Sequence, residues 1–227
     1  MNLLAIESST AHLSVALACG GEIISRECDA GQRHSELALP MVEALLVDAG
    51  IARDALDALA FGAGPGSFTG VRIACGIAQG LAFGLGVLVV AVPTLLALAD
   101  DAGGERVIAV LDARMGEIYH AAYVRGAGGW LAAVAPCLCK PGNAPAVPGS
   151  GWTGAGSGFA AFAEVLGERY SGQLHRTRPE LVPRAAAVAR LARDGFAGRE
   201  FVPAEQAAPL YLRDKVALTM REQQAAR

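Results

Sequence analysis

Residues 58–85 constrain this chain more than any other stretch. Ala58-Leu59-Ala60-Phe61 is an apolar run and reads as a strand. Gly62, Gly64, Gly66 and Gly70 then surround Pro65. Glycine reaches positive φ and proline fixes its own φ at about −65°, so the chain must bend sharply here. Residues 71–85 read as a helix. A bent loop between strand and helix aims backbone N–H groups and the positive helix end at one point. Gly64, Gly66, Ser67 and Thr69, with Arg72 as the one nearby cation, therefore form a candidate anion or nucleotide loop. The competing reading is a structural elbow, in which Ser67 and Thr69 cap the helix.

The helix carries a second signal. Gly76, Gly80 and Gly84 recur every four residues and share one face, widened by Ala74, Ala78 and Ala82. A helical glycine costs about 1 kcal/mol relative to alanine, so three of them call for a close neighbour. That neighbour is either the protein's own sheet or a helix of a partner.

The 227 residues suffice for one large domain or two small ones. A net charge of −3 gives no sign of a strongly basic nucleic-acid surface. Lysine is confined to Lys140 and Lys215, so no phosphate-clamping lysine lies near the glycine loop in sequence. Five cysteines without a Cys-x-x-Cys motif fit free thiols in a reducing compartment. The first seven residues lack the basic stretch of a signal peptide, so a cytoplasmic protein is expected. Residues 73–99 contain no charge and could span a bilayer by length. Gly84, Gly86, Pro93 and the Val-rich run 87–92 instead mark helix, turn, buried strand and turn, and no membrane association is expected.

Strands are expected at 3–6, 13–19 and 22–28, with a hairpin turn at Gly20-Gly21. A helix over 35–49 is closed by Gly50. A strand at 87–92 and a helix at 95–99 complete a first half, residues 1–102. The second half, residues 103–227, opens in the same way. Leu4-Ala5-Ile6-Glu7 and Ala109-Val110-Leu111-Asp112 are both apolar runs ending in a carboxylate and continuing into another strand. Residues 126–151 read as loops around short strands, 152–158 as a second glycine-rich loop, and 159–168 and 184–193 as helices. The tail after Pro209 is expected to be extended and to pack back on the first half.

Catalytic motifs are sparse. Gly-x-x-x-x-Gly-Lys-Ser/Thr is absent. Ser67 has Pro65 and Thr69 where a nucleophile elbow needs glycines. His12, His34, His120 and His175 include no pair at helical chelating spacing, so no helical His pair can chelate a metal, and with these motifs missing no catalytic centre is expected. His34 opens the first helix as a cap or surface residue. Glu7 and Asp112 could hold a magnesium ion or a polarised water in a cleft, or stabilise their turns by hydrogen bonds.

Six segments carry a resemblance: Leu4-Ala5-Ile6-Glu7-Ser8-Ser9-Thr10, His34-Ser35-Glu36, Gly64-Pro65-Gly66-Ser67-Phe68-Thr69-Gly70-Val71-Arg72-Ile73, Gly76-Ile77-Ala78-Gln79-Gly80-Leu81-Ala82, Asp112-Ala113-Arg114-Met115-Gly116-Glu117 and Tyr211-Leu212-Arg213. In order along the chain, they resemble the TsaB family, also called YeaZ. The resemblance implies an α/β fold of two ribonuclease-H-like, actin- and sugar-kinase-like halves, with mixed sheets flanked by helices. It implies a non-catalytic companion of TsaD, joined by the ATPase TsaE, in placing a threonylcarbamoyl group on the adenosine beside the anticodon of tRNAs that read A-starting codons. It implies no cofactor of its own, ATP and magnesium being used by the complex, and contact with tRNA through that complex. Self-association through the same N-terminal surface is also implied. On this reading Leu37, Met41, Leu45, Gly76, Gly80 and Gly84 form the face for TsaD and for a homodimer. Glu7 stands where the family has Asp, and its extra length of about 1.5 Å disfavours a rigid metal site. A stand-alone actin-like ATPase or small-molecule kinase, and less favoured a peptidase, are the alternatives.

Overall fold

A computed structural model describes residues 1–196 and 198–213. The last residues of the tail lie outside this range. The first sheet contains β1 (Leu3–Glu7), β2 (His12–Cys19), β3 (Glu22–Asp29), β4 (Ala58–Gly62), β5 (Leu88–Val92) and β11 (Phe201–Val202). The second contains β6 (Arg106–Arg114), β7 (Glu117–Gly126), β8 (Gly129–Cys139), β9 (Trp152–Ala155) and β10 (Leu174–Arg178). The helices are α1 (His34–Ala49), α2 (Phe68–Leu85), α3 (Thr94–Ala102), α4 (Ser157–Ala161), α5 (Ala163–Arg169) and α6 (Ala185–Asp194).

The two sheets repeat one topology. In the first, β1, β2 and β3 form an antiparallel meander, and β4 and β5 add in parallel on the other side of β1. In the second, β6, β7 and β8 form the meander, and β9 and β10 add in parallel beside β6. The likeness between the sequences around Glu7 and Asp112 is thus the trace of two like halves, each a mixed sheet flanked by helices.

Strand alternation explains why the inner strands are apolar throughout. Leu4 and Ile6 of β1, with Leu59 and Phe61 of β4, face α1 and α2. Leu3 and Ala5, with Ala58 and Ala60, face α3 and α6. The same inner layer meets Val107, Ala109 and Leu111 of the second sheet, while Ile108 and Val110 point outward to Phe159 and Leu166 of the α4–α5 side. The molecule is therefore five layers deep, with α3 and α6 shared between the sheets. Asp100 of α3 ties this layer together. Its carboxylate accepts from Arg125 and Trp130 of the second sheet at 2.9 Å and from Arg190 of α6 at 2.8 Å.

Several sequence expectations need correction. Residues 129–139 form one strand of 11 residues, not loops around short strands, because residues 129–132, Val134 and residues 137–139 pair with β7 across two register shifts. Residues 152–155 are a fully buried strand rather than a glycine-rich loop. The helix expected over 159–168 is two helices divided at Phe162, whose φ is −132°. The boundary at 102/103 separates β1–β5 from β6–β10, but the chain then returns to the first sheet: α6 packs on β1 and β2, and β11 pairs with β5. Residues 73–99 comprise the body of α2, β5 and most of α3. By length and composition α2 alone could cross a bilayer, yet it lies on the first sheet with Ala74, Ala78 and Ala82 fully buried.

His120 of β7 is fully buried in the second half. Its Nε2 lies 2.7 Å from the Tyr170 hydroxyl, which donates to the Pro145 carbonyl, so the neutral ring donates from Nε2. Burial, assisted by the Arg169 charge, pushes its pKa down to about 4. The unfolded chain binds this proton at about pH 6.5, so the contribution is complete above that pH and is lost as pH falls toward 4. Urea melts should show a loss approaching about 3 kcal/mol across this window, and the His120→Gln chain should show a correspondingly shallower pH slope. Equal slopes would contradict the buried neutral imidazole.

Candidate functional site

The loop after β4 closes on the turn after β1. An added Cβ would lie 1.8 Å from Glu7 Oε2 at residue 62, 2.6 Å from Ser9 at residue 66 and 1.9 Å from the Ser8 carbonyl at residue 70. Residues 66 and 70 lie against the backbone of Ser9 and Ser8, and residue 62 against the Glu7 carboxylate, so each of these positions suits glycine. Gly64, at φ 99° and before a cis Pro65, turns the chain. The Ser8 hydroxyl donates to the Gly70 carbonyl at 2.8 Å, and the Ser67 N–H to the Ser9 carbonyl at 2.7 Å. Ser67 Oγ accepts from the Gly70 N–H and caps α2. The elbow reading accounts for these glycines and for Ser67. Thr69 is exposed at the first turn of α2.

Glu7 is buried rather than presented to a cleft. Its carboxylate accepts from the Ser9 N–H at 2.6 Å and from the Thr94 hydroxyl at 3.3 Å, and Thr94 in turn accepts from the Gly64 N–H. Burial raises its pKa against the lowering by the Ser9 and Thr94 bonds. This carboxyl group links β1, the loop and α3. The turn-stabilising reading of Glu7 fits this geometry, and a cation site does not.

Between the halves lies a cleft of about 1270 Å³. It brings together Gly66, Ser67 and Thr69 from one side and Asp112, Arg114 and Ser157 from the other. Asp112 is occupied locally: its Oδ1 accepts from the Arg114 N–H at 2.8 Å and its Oδ2 from the Arg114 guanidinium at 3.2 Å. The tail crosses this cleft. The Leu210 N–H donates to the Ala63 carbonyl at 2.7 Å, and Arg213 donates to Glu117 at 2.7 Å and to the Ala113 carbonyl at 3.1 Å. Sequence reading expects the tail to pack back on the first half; nothing local in Tyr211-Leu212-Arg213 marks this strap's further contact with Ala113 and Glu117 of the second.

The glycines of α2 have a different environment. Gly76, Gly80 and Gly84 are exposed, and a Cβ at any of them would meet nothing within 4 Å among the described residues. The expectation that they might approach the protein's own sheet is corrected: alanines take that side. The smooth stripe faces outward, beside Phe83, which is 80% exposed. On neighbouring α1, Val47 is 78% exposed and Leu39 is also open. Leu37 and Met41 are half-buried against Leu13, Ala38 and Ile77, and Leu45 is buried beneath α1. Leu45 therefore packs the core instead of reaching a partner; Leu39 and Val47 are the outward residues of this helix. His34 is bonded to the Thr10 carbonyl at 2.8 Å. Among the described residues, no group of three or more His, Cys, Asp or Glu side chains is arranged to hold a metal.

A family model described as "TsaD: tRNA N6-adenosine threonylcarbamoyltransferase" matches residues 27–155. The Escherichia coli "tRNA threonylcarbamoyladenosine biosynthesis protein TsaB" is 38% identical, with 96% of each chain covered. The chain belongs to the TsaB family. The Haemophilus influenzae TsaB is 34% identical over 95% of both chains. The solved "YeaZ from Pseudomonas aeruginosa" superposes with a TM-score of 0.85 at 42% identity, covering 93% of this chain and 99% of that one. The two-lobed actin- and ribonuclease-H-like fold follows from this likeness together with the repeated sheet topology.

The two sets of glycines make opposite predictions. Gly80→Ala adds helix propensity without a clash and should stabilise the isolated chain by about 1 kcal/mol. Gly70→Ala drives a Cβ into the Ser8 carbonyl and should cost about 1–3 kcal/mol. Chemical denaturation of both variants measures this, and destabilisation by Gly80→Ala would contradict an open stripe.

Proposed function

We propose that this chain acts in tRNA threonylcarbamoyladenosine biosynthesis as a non-catalytic subunit that binds and supports TsaD. The observation that carries the reading is the α2 stripe, where three glycines cost about 1 kcal/mol each and a Cβ at any of them would meet nothing within 4 Å among the described residues. A smooth helix face lets a partner helix approach closely, and the exposed Phe83 and Val47 supply apolar contact beside it. TsaD occupies this face in the working complex, and a second copy of this chain occupies it when TsaD is absent. TsaE joins the assembly, ATP and magnesium are used by the complex, and tRNA is engaged through it, in the cytoplasm.

Family membership supports the pathway, and the locally occupied Glu7 and Asp112 support a chain without a reaction centre of its own. Threonylcarbamoyl transfer to tRNA, reconstituted from TsaD, TsaE and the enzyme that makes the activated donor, should require this chain, while the chain alone is inert. Full activity without it would overturn the proposal. Turnover of Mg-ATP by the chain alone would instead favour the stand-alone ATPase or kinase.

A further inference from the structure

Arg72 heads the stripe that Gly76 and Gly80 continue at intervals of four, on the exposed side of α2. Its guanidinium carbon lies 3.3 Å from the centroid of Phe68 and 5.1 Å from that of Tyr211. Phe68 and Tyr211 are 44% and 47% exposed. The strap therefore supplies one of the two rings that hold this arginine, and both rings line the cleft.

Most other arginines of the described residues spend their donors within the chain. Arg26, Arg53, Arg114, Arg125, Arg178, Arg184, Arg190, Arg193 and Arg213 have carboxylate partners. Arg106, Arg169, Arg176 and Arg199 donate to backbone carbonyls. Arg72 makes neither kind of contact among the described residues. Stacking on aromatic faces fixes a guanidinium plane while leaving its N–H edge free, the geometry that receives a carboxylate in a two-pronged bond. The open first turn of α2 adds potential of the same sign.

We propose that Arg72, clamped by Phe68 and Tyr211, is the charged anchor of the partner face and pairs with a carboxylate side chain of the protein seated on the glycine stripe. This rests on the partner reading above and names the group that fixes the partner's register. The stripe favours a protein over RNA. From Ile73 to Ala99 the chain carries no charge, whereas phosphate-backbone recognition depends on several cations together.

The test is binding of purified TsaD to the full chain and to Arg72→Met, Arg72→Lys and Gly80→Leu variants, each first shown by circular dichroism to be folded, at low and high salt. Arg72→Met should weaken the pair at least about tenfold. Arg72→Lys should restore only part of this loss. The salt dependence of the wild-type affinity should flatten in Arg72→Met. Wild-type affinity of Arg72→Met, with Gly80→Leu unable to pair, would overturn the anchor and leave the face standing. Wild-type affinity of Gly80→Leu would overturn the face itself. A loss in Arg72→Met with an unchanged salt slope would reduce Arg72 to packing and overturn the carboxylate. Unchanged TsaD affinity with lost tRNA retention in a gel shift would replace the protein contact with an RNA contact.

Discussion

Backbone contact between the loop 62–70 and the turn 7–9 is the constraint on which the rest of this structure depends. Side chains at residues 62, 66 and 70 would collide with Glu7, Ser9 and Ser8. With glycine there, the loop settles onto the turn and is fastened by the Ser8–Gly70 and Ser67–Ser9 hydrogen bonds. The start of α2 is thereby fixed. Its alanine face then falls on β4 and its glycine face outward. A loop that resembles a ligand cradle in sequence acts here as a joint that orients a helix.

The same economy appears between the two halves. The layer of α3 and α6 belongs to both sheets, so their apolar surfaces share one core. Charge is admitted to this layer where it is paired: Asp100 receives three donors from three other elements. A buried carboxylate satisfied in this way costs little, whereas the same group unpaired would be strongly destabilising. The strap from Leu210 to Arg213 adds a second tie on the cleft side. The two halves are thus joined both at the shared helix layer and at the strap.

Local patterns made much of this fold legible. The strands at 3–6, 13–19 and 58–61 were readable because apolar runs end at polar or glycine turns, and α2 because its small residues recur at helical spacing. The duplication could be seen in two apolar runs ending in Glu7 and Asp112. Residues 129–139 were not legible, since Gly, Pro and Ala there mimic a loop while pairing with β7 makes a long strand. The return of α6 to the first sheet and the contacts of Arg213 with the second half also escaped, because both are set by contacts across the whole chain. At the site, spacing put Gly76, Gly80 and Gly84 on one face but could not say which way it points. The burial of Leu45 depends on the rotation of α1 on the sheet, and the stacking of Arg72 depends on a tail residue more than a hundred positions away.

Hydroxyl-radical footprinting of this chain, alone and mixed with TsaD, tests the central claim most directly. Phe83 and Val47 should lose reactivity on mixing, while Leu131 of the second sheet, also exposed, should keep it. Unchanged reactivity at Phe83 and Val47, with protection at Leu131, would place the partner on the other half and contradict the account.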